Sequence, residues 1–144
     1  MRKIFFATLT ACLLTSSAVY ADAISDRKAA MKNVGMAMGA AVKMLKGQMD
    51  YDPVVASLAF ATMNNAAIGL TGLFPEGSET GGKTTASPKI WSDMGGFSSA
   101  VAKFQSDTAE AVAAKPADLD AFKAVFGKVA GNCKSCHEGY RVSN

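Results

Sequence analysis

Histidine is almost absent from this chain: His137 is the only one in 144 residues. Cysteine is scarce too, with Cys12, Cys133 and Cys136 making up the whole set. A structural zinc site takes four ligands, usually Cys or His. If Cys12 leaves with a leader peptide, two Cys and one His remain, too few for zinc within one subunit. Long apolar runs are also missing. The best candidate, Ile4 to Leu14, is short of the roughly 20 residues a spanning helix needs. Charge of one sign is nowhere concentrated; the net charge is +3, and no Lys/Arg cluster suggests nucleic acid as a partner. No stretch of helical length alternates apolar and polar residues with period two. That absence argues against strands, and with them against a thioredoxin-like Cys-x-x-Cys at a strand-to-helix turn. No linker, low-complexity tract or internal repeat divides the chain, so a single domain is expected.

What is present begins with the N-terminus. Arg2 and Lys3 precede the apolar stretch, and small residues lead to Val19-Tyr20-Ala21. A positive start, an apolar centre and a small-residue junction make a secretory signal peptide. Cleavage is expected after Ala21, so residues 1–21 are the leader and 22–144 the mature domain. A membrane anchor and a lipoprotein signal ending at Cys12 are the alternatives, and both fit less well. Without Arg2 and Lys3 the net charge falls to about +1. The basic balance of the whole chain thus describes its leader, and export to the periplasm is the expected destination.

Periodicity and punctuation mark four helices. The first runs from about Ile24 to Leu45, with Ile24, Met31, Val34, Met38, Val42 and Leu45 on one face and Gly47 as a stop. Asp52 as N-cap and Pro53 at the first helical position open the second. It carries Val54, Leu58, Ala61 and Ile68, and a further apolar set of Val55, Phe60 and Met63, until Phe74-Pro75. A polar loop from Glu76 to Ser87 follows. The third helix starts near Pro88 and shows Ile90, Met94, Phe97, Val101 and Phe104, weakens at Gly95-Gly96 and ends at Lys115-Pro116. The fourth starts around Asp118, with Phe122, Val125, Phe126, Val129, Cys133, Cys136 and Tyr140 in one stripe. Four such helices with mostly short connections predict an all-α, antiparallel up-down-up-down four-helix bundle.

The last helix carries the chemistry. Cys133-Lys134-Ser135-Cys136-His137 is a Cys-x-x-Cys-His sequence, the attachment signature of a c-type haem. Positions i, i+3 and i+4 share one helix face. Two thiols can then form thioethers with haem vinyl groups while the adjacent imidazole reaches the iron. A plain disulfide would leave His137 unexplained, and thiols so spaced on a helix are poorly placed to bridge. One covalent haem c per chain, held by Cys133, Cys136 and His137, is the expectation.

Three blocks extend the pattern beyond the pentapeptide. They are Arg27-Lys28-Ala29-Ala30-Met31-Lys32-Asn33-Val34-Gly35 in the first helix, Phe74 to Gly81 followed by Pro88-Lys89-Ile90-Trp91, and Cys133 to Arg141 at the C-terminus. In this order they resemble the class II cytochromes c, the cytochrome c′ and cytochrome c-556 group, over the whole mature chain. The resemblance implies thioether links at Cys133 and Cys136 and a proximal ligand at His137. It puts Arg27 close to a haem propionate, where a guanidinium–carboxylate pair is chemically sensible; an unpaired surface Arg is the plainer reading. Glu79 and Thr80 border the haem edge in relatives. Arg141, one turn beyond His137, either tunes the imidazole or the ferric charge, or is a solvated cation favourable to the helix dipole. Trp91 reads as core packing. Many relatives are homodimers paired through their first two helices, and the broadly apolar second helix fits that.

Met31 divides the function. As sixth ligand it would give a low-spin His/Met haem, a one-electron carrier serving periplasmic or membrane redox partners, because thioether ligation favours reduced iron. As a mere blocking group it would leave five-coordinate, high-spin iron that binds a small diatomic gas, nitric oxide or carbon monoxide. The expectation at this level is the carrier, with gas binding as the alternative. Met is also an all-purpose core filler, and Met36, Met38 and Met44 share the helix. An enzyme is not expected: once His137 is on the iron, no distal His remains as a peroxidase acid or base.

Overall fold

The computed structural model describes residues 16–142, with side chains from residue 22 onward. Most of the expected leader, residues 1–15, lies outside the described residues, and 16–21 continue the first helix as backbone. Five helices follow in order: α1 (Ser16–Leu45), α2 (Pro53–Ala67), α3 (Lys89–Ser92), α4 (Met94–Ala114) and α5 (Leu119–Tyr140). A 3-10 turn, Leu70–Leu73, lies between α2 and α3. Four of the helices are long, and they form the expected bundle. Among the described residues the only β pairing is an isolated antiparallel bridge between Ala86 and Arg141.

The helix ends are set by local chemistry. At α1, Gly47 takes a left-handed φ of 65° and closes the last turn, with Gln48 N donating to Lys43 O at 2.9 Å. A residue with a Cβ is strained in that conformation, so Gly is favoured there. Asp52 caps α2 as expected, its Oδ1 accepting from Val54 N at 2.7 Å and Val55 N at 3.2 Å. Asp118 does the same for α5 through Ala121 N at 2.8 Å.

Two helix boundaries differ from the sequence reading. The second helix stops at Ala67, because Gly69 adopts φ 75° and the chain turns into the 3-10 segment well before Phe74-Pro75. The third helix is broken in two at Asp93, whose backbone leaves the helical region and whose carboxylate caps Gly96 N at 3.1 Å. The break precedes Gly95-Gly96 instead of falling on them. A Cβ on Gly96 would lie 2.5 Å from both Asp93 Oδ2 and Tyr140 Oη, so this glycine answers a close approach.

Packing also rotates two faces. On α1 the buried line is Ile24, Arg27, Val34, Ala37, Ala41 and Met44, while Met31, Met38, Val42 and Leu45 flank it half-buried. On α2 the buried set is Ala56, Ala59, Phe60, Met63 and Ala67; Val54 and Leu58 face outward, as does Ile68 just past the helix end. Small alanines let the helices approach closely, and that puts them inside at the expense of larger apolar residues. The main cluster joins α1, α2, α4 and α5 around Phe60, Phe104, Phe122 and Phe126. A second cluster of Leu70, Ile90, Phe97 and Val101 lies toward the end of the bundle where α5 finishes. Helices α1 and α2, α2 and α4, and α4 and α5 pack along much of their lengths, whereas α1 and α5 barely touch. The ring of helices is therefore least closed along the α1–α5 seam.

Candidate functional site

The α5 stripe passes from a sealed core to an open site. Phe122, Phe126, Val129 and Asn132 are buried; Cys133 and Cys136 are half-buried; His137 is exposed. Both cysteines are free thiols. Cys136 packs against the second cluster together with Tyr140 and with Met31 from α1. Cys133 and His137, by contrast, line an open depression of about 720 Å³ with Lys134, Glu138, Arg141 and Val142. The pentapeptide thus straddles one edge of α5, with one thiol toward the cluster and the other beside the imidazole. Burial raises both thiol pKa values and keeps the sulfurs protonated. Loss of solvent around the ring, and then the charge of Arg141, lower that of His137. Both effects favour the neutral imidazole, the form that ligates a metal.

Arg27 is not a surface residue: it is 3% exposed. Its Nη2 donates to Ser78 O at 2.8 Å and Thr84 Oγ1 at 3.3 Å, and its Nη1 to Ser78 Oγ at 3.0 Å. The guanidinium also lies 4.9 Å from the Phe74 ring centroid and 5.5 Å from that of Trp91. Among the described residues it forms no ion pair, and its Nε–H has no acceptor. Burial lowers its pKa, and the field of Glu79 partly restores it. A buried cation without a counter-ion is costly, so a carboxylate-bearing group suits this donor. Its free Nε–H, the paired free thiols and the adjacent neutral imidazole together match the chemistry of haem.

The remaining sequence-selected residues separate. Glu79 is half-buried and acts on Arg27 through its field alone, while Thr80 is exposed. Ser78, fully buried, makes the contacts with Arg27 instead. Trp91 packs on the second cluster as expected, and it also donates its indole N–H to Pro75 O at 3.0 Å, which holds the ring beside Arg27. Arg141 follows α5 in extended conformation, with its Nε 3.3 Å from Thr85 Oγ1. Met31 is half-buried and packs against both apolar clusters at once.

Three features escaped the sequence reading. Ser78 sits in a polar loop without periodicity, and nothing local singles it out. Thr84 and Thr85 are equally anonymous. Asn132 did carry a signal, a polar residue at the stripe position between Val129 and Cys133. It is buried because its amide donates to Asp107 Oδ2 on α4 at 2.7 Å.

Comparisons with known proteins identify the family. A family model described as cytochrome C′ matches residues 22–141. The cytochrome c′ of Rhodopseudomonas palustris is 40% identical over 121 residues, covering 84% of this chain and 82% of that protein. A solved structure of a cytochrome c′ from Rhodopseudomonas palustris superposes with a TM-score of 0.82 at 38% identity, over 85% of this chain and 98% of that one. A cytochrome c-556 of Agrobacterium tumefaciens is 34% identical over 85% of this chain and 98% of its own length. A nitric oxide complex of a mutant cytochrome c prime from Alcaligenes xylosoxidans has a TM-score of 0.76 at 30% identity, over 87% of this chain and 97% of that one. The bundle, the thiol–imidazole edge of α5 and these matches assign the chain to the cytochrome c′ family, whose members carry covalently attached haem c.

Proposed function

We propose that this chain is exported, loses residues 1–21 and works in the periplasm as a mono-haem gas-binding protein, not as an enzyme. Its ligand is a diatomic molecule such as nitric oxide or carbon monoxide. When bound, haem supplies the iron that takes the gas. Cys133 and Cys136 would tether the group, and neutral His137 would fill one axial side. Arg27, with its free Nε–H and no counter-ion, suits a propionate, and Glu79 and Thr80 would border that edge.

The observation that carries the gas-binding reading is the packing of Met31 against both apolar clusters. A side chain gripped on two sides can screen the position facing it without bonding to anything there. Such a screen would favour a small ligand over a bulky one. The nitric oxide complex of the Alcaligenes xylosoxidans relative gives the ligand class. With His137 assigned to the iron, no second imidazole exists for peroxidase-type proton transfer.

The second reading keeps Met31 as sixth ligand in a one-electron carrier with periplasmic or membrane redox partners. Its support is that Met31 and Cys136 pack against one cluster. Visible spectra of the ferric and ferrous forms, with and without carbon monoxide, separate the two. High-spin spectra and gas binding with no ligand displaced are expected. A thioether–ferric charge-transfer band with slow gas binding would establish the carrier instead. Attachment is checked by a Cys133→Ser, Cys136→Ser double variant, which should lose its haem on denaturing electrophoresis.

Homodimerisation through α1 and α2 belongs to the same proposal. Val54 and Leu58 are exposed on α2, Ile68 just after its end, and Met36 on α1. Water-exposed apolar side chains grouped on two packed helices suit a partner surface. Wild type should elute as a dimer at micromolar concentration and a Leu58→Asp variant as a monomer; a monomeric wild type would remove this part.

A further inference from the structure

The chain just after His137 is fastened to a loop that also reaches α1. Ser87 N donates to Tyr140 O at 3.0 Å, and Val142 N donates to Thr85 O at 2.9 Å. Between these bonds Ala86 and Arg141 form the isolated bridge. The Arg141 side chain joins the same clasp, its Nε donating to Thr85 Oγ1 at 3.3 Å. One residue earlier, Thr84 Oγ1 accepts from the buried Arg27. Residues 84–87 therefore tie the cation of α1 to the segment that follows the axial histidine.

Charge bookkeeping around the depression singles out Arg141. Lys134 and Glu138, which line it too, face each other at 3.7 Å and largely cancel. Arg141 forms no ion pair among the described residues. It is the uncompensated charge on the His137 side, and its field already reaches the imidazole. Arg141 is itself exposed, so an untethered guanidinium would swing away from the depression, and its Coulomb interaction there would weaken with distance. The tether uses only Nε, and leaves the four Nη–H donors free.

We propose that Thr85 is a positioning residue, whose hydroxyl holds the Arg141 guanidinium at the rim of the His137 depression so that its charge acts on the haem iron. This rests on the reading that haem is attached at Cys133 and Cys136 and ligated by His137. A fixed positive charge beside the iron favours the reduced state, which carries one positive charge fewer. Thr85 thus sets how strongly the protein holds its haem in the ferrous form.

The test is a double-mutant cycle on the haem-loaded protein, read as the ferric/ferrous midpoint potential at low ionic strength. Thr85→Val keeps the shape and removes the acceptor, and should lower the potential. Arg141→Gln should lower it at least as much. In the Arg141→Gln background Thr85→Val should have no further effect. With Arg141 in place, Thr85→Ser, which keeps the hydroxyl, should show the wild-type value. Molar salt should shrink the Thr85→Val shift, because it screens an exposed charge. Equal shifts in both backgrounds, or none in the wild type, would overturn the proposal. Failure of the underlying haem assignment looks different: the haem would be extractable from wild type, or its spectrum unchanged by His137→Ala. Far-UV circular dichroism of each variant separates a lost clasp from a lost fold.

Discussion

Asn132 donates to the buried carboxylate of Asp107 at 2.7 Å, one residue before the first cysteine of the Cys-x-x-Cys-His pentapeptide. The same carboxylate meets Lys103 at 2.5 Å and Lys128 at 3.4 Å. This network joins α4 to α5 and fixes the rotation of α5, on which the outward aim of Cys133 and His137 depends. The hydrogen bond from Asn132 and that from Lys103 hold the Asp107 pKa down, from 3.8 to about 2.

A carboxylate with a depressed folded-state pKa stabilises the protein above its unfolded value and loses that effect as pH falls. The Asp107 contribution should therefore be complete above about pH 5 and fade as the pH drops through 3.8 toward 2. Urea unfolding between pH 2 and 6 should show this slope in wild type and a weaker one in Asp107→Ala. At neutral pH that variant should lose about 2 kcal/mol, because Asn132 and Lys103 lose a charged acceptor and the Asn132 amide keeps only the Lys128 and Val129 carbonyls.

Ser78 supplies two acceptors to Arg27, its hydroxyl and its carbonyl. Ser78→Ala removes only the first. A hydrogen bond to a charged group contributes about 1.5–3 kcal/mol, so a loss near the lower end is expected in urea unfolding. Arg27→Leu removes the cation itself. If a propionate pairs with Arg27, this variant should shift the haem midpoint potential downward, and Ser78→Ala should move it much less.

Gly96→Ala tests the crowded junction of α3, α4 and α5. The new methyl would stand 2.5 Å from Asp93 Oδ2 and Tyr140 Oη, which are hydrogen-bonded to each other at 2.9 Å. Relief requires the Asp93 cap or the Tyr140 contact to open. Loss of an N-cap costs about 1 kcal/mol, which should exceed the gain from replacing Gly within a helix. Thermal unfolding should fall for Gly96→Ala, and little further change should follow from adding Asp93→Ala.

Met31→Ala separates screening from ligation. With Met31 as a screen, the iron should stay five-coordinate and carbon monoxide association should quicken by roughly tenfold, about 1.4 kcal/mol of barrier. Flash photolysis reads the rate and the visible spectrum reads the coordination. A change from low-spin to high-spin in this variant would instead identify Met31 as a ligand.

Most of the fold was legible because helices announce themselves locally. The caps at Asp52 and Asp118, the stop at Gly47 and the α5 stripe are all short-range features, and each stands where the sequence put it. The inner faces of α1 and α2 were read only in part: Ile24, Val34, Phe60 and Met63 are buried as expected, but Val54, Leu58 and Ile68 face outward, for a physical reason. Hydropathy ranks Leu58 and Val54 above Ala56 and Ala59, but close helix approach selects small side chains for the contact. The break at Asp93 was missed because it is held from afar: Tyr140, on another helix, bonds the very carboxylate that caps α4.

The proposed haem site was legible in the sequence alone, since spacing on one helix brings two thiols and an imidazole to a common edge whatever surrounds them. What surrounds them was decided by the tertiary structure. Burial of Arg27 under Phe74 and Trp91, the double packing of Met31, and the clasp from Thr85 to Arg141 join residues 47 to 64 positions apart or bring together separate helices. No periodicity encodes such pairs. They exist because packing the bundle leaves the α1–α5 seam least closed, and the loop from Phe74 to Ser87 fastens both sides of it.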